Sequence, residues 1–228
     1  VLGSRGLGDV YKRQIIGAGA GASTAAGIQY GGKRFTDNFG EFIEKYGVHY
    51  MTDMYAAGFY PYPSEEAKWG YWSKHALMNR FDPPALPLYT KLYDIVKSKE
   101  YFVLTTNVDH QFYKAGFDEK RIFATQGDYG KIQCQKACHP KTYDAEELFH
   151  KMDEARKDCL IPSELVPKCP VCGGNMAMNL RCDNYFVEDE AWHEAADRYA
   201  DFLEQNKDKK VVLLELGVGF NTPIIIRF

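Results

Sequence analysis

Long apolar runs are missing from this chain. None approaches the ~20 residues that a membrane helix needs, and the longest candidate, Val211–Leu216, is strand-sized. An excess of positive charge is missing too. A formal net charge of −3 leaves no basic stripe to hold a phosphate backbone, which makes nucleic acid a poor partner. The first residues have neither the apolar stretch nor the cleavage site of a secretory signal. Six cysteines without an export signal do not read as a disulfide framework, so a reducing, cytoplasmic compartment is expected. No Ser/His/Asp arrangement and no pair of carboxylates declares itself by spacing.

What remains is a mixed composition, 45% apolar and 26% charged, which excludes collagen-like, coiled-coil and wholly disordered classes. At roughly 100–200 residues per domain, the length predicts one large domain, or one with a small module. Val1–Gln14 resembles translated cloning or adapter sequence and is set apart from the fold. The last residues, Ile224-Ile225-Ile226-Arg227-Phe228, form an apolar run without a cap, so the chain reads as a fragment cut at both ends.

From Ile15 the pattern is that of an α/β protein. A short apolar strand runs into Gly17-Ala-Gly19-Ala-Gly21-Ala-Ser23 and on to Gly27-Ile28, a nucleotide-binding strand–turn–helix entry. Phe42, Ile43, Tyr46, Tyr50, Met51 and Met54 follow helical spacing and predict a helix through that stretch. A second helix is expected to begin at Asp82-Pro-Pro84. Tyr101–Leu104 and Arg121–Ala124 read as short strands, Glu188–Asn206 as an amphipathic helix, and Val211–Leu216 as a core strand. The order predicts a Rossmann-like, mostly parallel sheet with helices on both faces. Residues 15–130 and 183–228 would form it, with residues 131–182 as a small inserted module carrying a polar helix at Tyr143–Lys157.

The cysteines lie almost wholly in that module. Cys134-x3-Cys138 and Cys169-x2-Cys172 suit two knuckles clamping one tetrahedral zinc through four thiolates. Such a site is closed and structural. Cys159 and Cys182 are spare ligands or free thiols, and His139 is a lesser candidate.

Three strand ends carry small or polar residues: the glycine loop, Thr105-Thr106-Asn107-Val108-Asp109, and Gly217-Val218-Gly219-Phe220-Asn221. Ligands of open α/β sheets sit outside the carboxyl ends of the strands, so these loops are expected to share one cleft. The glycines would let a backbone approach a pyrophosphate, although a tight helix–strand crossing needs small residues as well. An ordinary dehydrogenase is disfavoured, because the stretch that should hold the ribose-binding acid does not read as a strand. Trp69–His75 either roofs a pocket or fills the core. His110 reads as a bystander and Glu188–Glu190 as a helix start.

In their order, these pieces resemble the sirtuin family, over about Ile15 to Phe228. Gly19-Ala-Gly21-Ala-Ser23-Thr-Ala-Ala-Gly27-Ile28 is similar to its glycine loop, and Thr105-Thr106-Asn107-Val108-Asp109 to its Asn/Asp segment. The paired cysteines match its zinc ribbon, and Gly217–Asn221 its last nucleotide loop. The resemblance implies NAD as co-substrate. Gly19, Ala20, Gly21 and Ser23 would cradle the pyrophosphate, with Gly27, Ile28 and Thr106 beside it. Asn107 and Asp109 would hold the nicotinamide and its ribose, and Gly217, Val218 and Asn221 would lie on the adenosine side.

Where deacylating sirtuins carry His-Gly, this chain has Gln126-Gly127. An amide hydrogen-bonds but takes no proton near neutral pH. The family's Pro-Asp-Phe-Arg is replaced by Gln29-Tyr30-Gly31-Gly32. Its substrate-pairing segment appears as Tyr185-Phe186-Val187-Glu188-Asp189-Glu190. These departures resemble the macrodomain-associated (class M) branch and imply protein mono-ADP-ribosyl transfer, with Gln126, Asn107 and Asp109 at the reacting centre. That branch also implies a protein substrate, a lipoylated carrier protein and a macrodomain hydrolase as partners. The alternatives are an NAD-dependent lysine deacylase, a non-catalytic NAD or ADP-ribose binding module and, disfavoured by charge, a zinc-ribbon nucleic-acid adaptor.

Overall fold

The computed structural model describes residues 12–219. In chain order the first elements are β1 (Arg13–Ala18), α1 (Ala20–Ala26), α2 (Lys33–Tyr46), α3 (Met54–Gly58), α4 (Glu65–Ala76) and α5 (Pro87–Val96). Then follow β2 (Glu100–Thr105), α6 (Gln111–Lys114), β3 (Ile122–Ala124), β4 (Gly127–Cys134), β5 (Thr142–Asp144) and α7 (Glu146–Ala155). The last are β6 (Met176–Leu180), α8 (Glu190–Asn206) and β7 (Val212–Leu216).

β1 and β2 are each buried over their last five residues, as strands covered on both faces must be. With β3 and β7 they form a parallel sheet of order β3-β2-β1-β7. Alternate residues serve opposite layers. Ile16, Tyr101, Val103 and Ile122 pack under Ala22, Tyr89 and Phe112, while Ile15, Phe102, Leu104 and Phe123 pack against Ala195 and Tyr199 of α8. The α/β architecture read from the strand and helix pattern is thus present.

A second body surrounds the antiparallel sheet β5-β4-β6. Its core joins Ile132, Phe149 and Met152 to Phe35, Phe39 and Phe42 of α2 and to Trp69 and Tyr71 of α4. Tyr71 meets Phe39 at 5.2 Å and Phe42 edge-on at 5.4 Å, a favoured arrangement of ring quadrupoles. The aromatic stretch assigned by pattern to the nucleotide-binding unit therefore packs with the cysteine-bearing sheet. An amphipathic helix declares that it has a buried face, not which partner covers it.

Other boundaries also differ from expectation. The helix read from Phe42 to Met54 ends at Tyr46, because Gly47 takes a φ of 94°. A new one starts at Met54, with Asp53 accepting the N–H groups of Tyr55 and Ala56 at 2.8 Å. α5 starts at Pro87, not at Asp82. β1 begins at Arg13, inside the segment set apart as a leader, where Arg13 pairs with Glu100 in register and by an ion pair of 3.1 Å. Among the described residues β7 pairs with β1 alone, and Leu213 is 63% exposed.

Candidate active site and cysteine cluster

The glycine loop is shaped first by the chain crossing above it. Gly19 N–H donates to the Leu216 carbonyl and Gly21 N–H to the Gly217 carbonyl, both at 3.0 Å. A Cβ on Gly19 would lie 2.7 Å from Gly217 O, and one on Gly21 would lie 2.7 Å from Gly217 Cα. Side chains at both positions are excluded by the end of β7. These two N–H groups are engaged by backbone and do not face outward as expected for a pyrophosphate cradle. Gly217 and Val218 likewise do not line the cleft described below: Gly217 rests on the loop, and Val218 packs on the α8 side of the sheet. Gly27 closes α1 at φ 111°. Asn221 lies outside the described residues.

Ser23, one turn into α1, is buried and ties three elements together. Its hydroxyl donates to Asp109 Oδ2, and Tyr89 Oη lies 2.8 Å from it. Since the Ser23 proton is committed to Asp109, Tyr89 is the donor in that pair. Tyr89 Oη in turn accepts from Asn107 Nδ2 at 3.3 Å, and the same amide donates to the Gly19 carbonyl at 3.0 Å. The second oxygen of Asp109 accepts the Gln111 N–H at 3.1 Å. Asp109 is 2% exposed, and burial pushes its pKa up against the pull of Ser23 and Gln111. Both of its oxygens are thus occupied within the protein, whereas the Asn107 side-chain oxygen is not committed by these bonds. Asp109 buttresses the loop that presents Asn107.

Gln126 sits in the two-residue turn between β3 and β4. Its carbonyl accepts the Arg181 N–H at 3.1 Å, and Thr125 N–H donates to the Thr105 carbonyl at 2.9 Å. Trp192 Nε1 and Arg181 Nε both donate to the Thr125 carbonyl at 3.3 Å. Gly127 takes a φ of 96°, and a Cβ there would fall 1.9 Å from Asn179 O. The turn is held from both sides, which aims the Gln126 side chain.

These loops meet in a cleft of about 250 Å³ at the carboxyl ends of β1, β2 and β3. Of the residues singled out by sequence, Ala20, Ser23, Ile28, Thr106, Asn107, Asp109 and Gln126 line it. The opposite wall belongs to the second body: Tyr30, Tyr55, Phe59, Trp72, His75 and Tyr129. Of these Tyr30, Trp72 and His75 fall in stretches noted from sequence, and the others carry no local signal. Tyr30 and Tyr129 share a hydrogen bond of 3.0 Å. His75 is fully buried, and burial with the nearby Arg34 charge pushes its pKa down to about 3, leaving a neutral imidazole. Cys182 lines the cleft and is not part of the cysteine cluster, while Cys159 is buried in the aromatic core. His110 faces away, with Nδ1 2.7 Å from Asp128 Oδ2 and its ring stacked on Tyr113 at 4.1 Å.

The ligand atoms of Cys134, Cys138, Cys169 and Cys172 all lie within 4.8 Å of one another. Cys134 and Cys172 sulfurs are 3.7 Å apart, and Cys138 and Cys169 sulfurs 3.6 Å. Four thiolates at ~2.3 Å from one tetrahedral zinc would stand roughly 3.8 Å apart, so the donor set fits that ion. Backbone N–H groups, that of Cys138 foremost, lower the Cys134 thiol to about 6, which favours the thiolate a metal requires. The second knuckle turns at Gly173 (φ 69°), with Cys169 N–H donating to the Gly174 carbonyl at 2.7 Å. His139 Nδ1 touches Cys138 Sγ at 3.1 Å, beside the four.

Comparison with known proteins agrees with this geometry. The Sir2 family matches residues 19–212. A protein ADP-ribosyltransferase of Staphylococcus aureus strain Mu50 is 41% identical over 214 residues, 93% of this chain and 67% of that protein. A probable bifunctional ADP-ribose hydrolase/ADP-ribosyltransferase of Fusarium oxysporum f. sp. cubense is 30% identical over 225 residues, 94% of this chain and 36% of that protein. Among solved structures, a Sir2 homologue mutant with ADP-ribose aligns at TM-score 0.55 and 15% identity, covering 99% of this chain and 81% of that one. A Sir2 homologue with NAD aligns at 0.52 and 16%, covering 100% and 79%. With the family match spanning most of its length, an Asn/Asp loop and a glycine turn meeting at one cleft and four cysteines clustered apart from it, this chain belongs to the Sir2 family.

Proposed function

We propose that the chain transfers ADP-ribose from NAD to a protein side chain and releases nicotinamide. The observation that carries this reading is Gln126 in the cleft wall, in the turn after β3. NAD supplies an electrophilic ribosyl carbon: its bond to nicotinamide breaks, the electron pair leaves with the pyridine nitrogen, and a lone pair of the acceptor forms the new bond. The acceptor's proton passes to solvent. Asn107 orients the leaving ring, Gln126 holds the ribose hydroxyls, and the aromatic wall excludes water. Orientation of this kind lowers the barrier without any protein group having to take a proton.

Deacylation, by contrast, needs a base for a ribose hydroxyl. The Gln126 amide is none. Both Asp109 oxygens are occupied, His75 is a very weak base, and burial raises the Cys182 thiol so that it stays protonated at neutral pH. The name of the Staphylococcus relative, 41% identical, supports the same choice.

The partners follow from this chemistry. The substrate is a protein, with a lipoylated carrier as the first candidate. A hydrolase that removes the group, of macrodomain type, would complete the cycle, and the Fusarium relative carries both activities in its name. Thiolate ligands favour a reducing compartment, in keeping with a cytoplasmic reading. Among the described residues, no helix is long and apolar enough to cross a membrane.

Incubation with NAD and candidate acceptors should add one ADP-ribosyl mass to protein, read by mass spectrometry. Gln126→Ala should lose about 100-fold in transfer rate while still binding NAD. Turnover of an acyl-lysine peptide to O-acyl-ADP-ribose by the unaltered protein, without labelled protein, would overturn the reading.

A further inference from the structure

His75 is fully buried in the wall of the cleft, and its Nε2 has no hydrogen-bond partner. The protonation of that nitrogen can be assigned from its neighbour. Tyr71 Oη donates to the Met54 carbonyl at 2.6 Å and lies 3.4 Å from His75 Nδ1. With its only proton committed to Met54, Tyr71 can serve His75 only as an acceptor, so Nδ1 carries the imidazole proton. Nε2 therefore presents a bare lone pair. The His75 ring packs among those of Tyr129, Trp72 and Tyr30, with centroids 4.6, 5.1 and 5.8 Å from its own. The phenols of Tyr30 and Tyr129 bond each other. A buried acceptor left without a donor is destabilising, and such groups in folded proteins usually have a purpose.

We propose that His75 Nε2 accepts a hydrogen bond from the carboxamide N–H of nicotinamide, and so selects a flat ring bearing a donor in the aromatic end of the cleft. The inference rests on the transferase reading above and adds a specificity residue that the second body contributes. A ring bearing a carboxylate or a ketone at the same position has no N–H to offer and sets an oxygen lone pair against the nitrogen lone pair.

The test compares nicotinamide with 3-acetylpyridine, which keeps the ring and replaces the amide by a methyl ketone. Binding of each is followed by tryptophan fluorescence, and the ¹⁵N resonance of His75 Nε2 by NMR. The unaltered protein should prefer nicotinamide, and only nicotinamide should move that resonance toward its hydrogen-bonded position. His75→Phe should remove about tenfold of the preference, the worth of one buried hydrogen bond. His75→Gln, which restores an acceptor, should keep most of it. A preference unchanged in a folded His75→Phe protein would overturn the inference and leave the transferase reading standing. So would an Nε2 resonance already hydrogen-bonded before ligand is added, the mark of an ordered water. Failure of the unaltered protein to bind either NAD or nicotinamide would sink the transferase reading itself, and this inference with it.

Discussion

Replacing Ser23 by alanine isolates the interaction that joins the glycine loop to the Asn/Asp segment. The hydroxyl is one of two donors to the Asp109 carboxylate, the other being Gln111 N–H. A hydrogen bond to a buried charged group contributes about 2 kcal/mol, and Tyr89 loses its acceptor in the same step. At a urea slope of about 2 to 3 kcal/mol per molar, the unfolding midpoint should fall by about 1 M. The pH dependence is specific to this mechanism. Burial already raises the folded pKa of Asp109 above its unfolded value of 3.8, so ionisation costs stability above that pKa. Loss of Ser23 raises it further. The gap between the two proteins should thus be full above the variant's folded pKa and shrink as pH falls through it, since a protonated carboxyl depends little on the missing donor. Urea unfolding repeated at a series of pH values, from about pH 8 downward, reads this directly. A double variant with Asp109→Asn should be less destabilised than the two single changes together, the signature of a shared interaction. A gap that stays constant as pH falls, or strict additivity, would refute the reasoning.

Gly127→Ala should cost about 3 kcal/mol or more, because the new Cβ meets Asn179 O at 1.9 Å and the backbone holds φ at 96°. Thermal unfolding should show a drop of about 10 °C. The purified protein should carry one zinc per chain by elemental analysis. Stripping it with a strong chelator, or Cys169→Ser, should release protection from hydrogen exchange in β4, which ends at Cys134, and in β6 paired to it. Protein free of zinc with unchanged protection would count against the site.

The site was more legible than its surroundings, for physical reasons. Short buried strands that end in glycine, or in Thr-Asn-x-Asp, mark the carboxyl edge of a parallel sheet wherever they occur. That edge is where Ala20, Asn107 and Gln126 come together. Cysteine spacing is equally local, and the four sulfurs converge as the two knuckles suggested. What sequence could not convey is who packs against whom. Phe39 and Tyr71 lie far apart in the chain, and both pack with Ile132 and Phe149 of the cysteine-bearing body. Tyr55, Phe59 and Tyr129 of the cleft wall have no signature apart from that packing. The function of Gly19 and Gly21 was hidden for the same reason: the backbone that excludes their side chains arrives from Gly217, at the far end of the chain.

Only Thr125 and Gln126 separate the last paired residue of the parallel sheet from the first of the antiparallel one. A join that short has no slack. Thr125 is stitched to β2 and Gln126 to the end of β6, so the glutamine belongs to two rigid frames at once. Adding a single residue there would throw one strand out of register or carry the amide out of the cleft, whereas the longer connections of the second body leave room for insertion. The seam between the two sheets is therefore the least forgiving stretch of the molecule to lengthen.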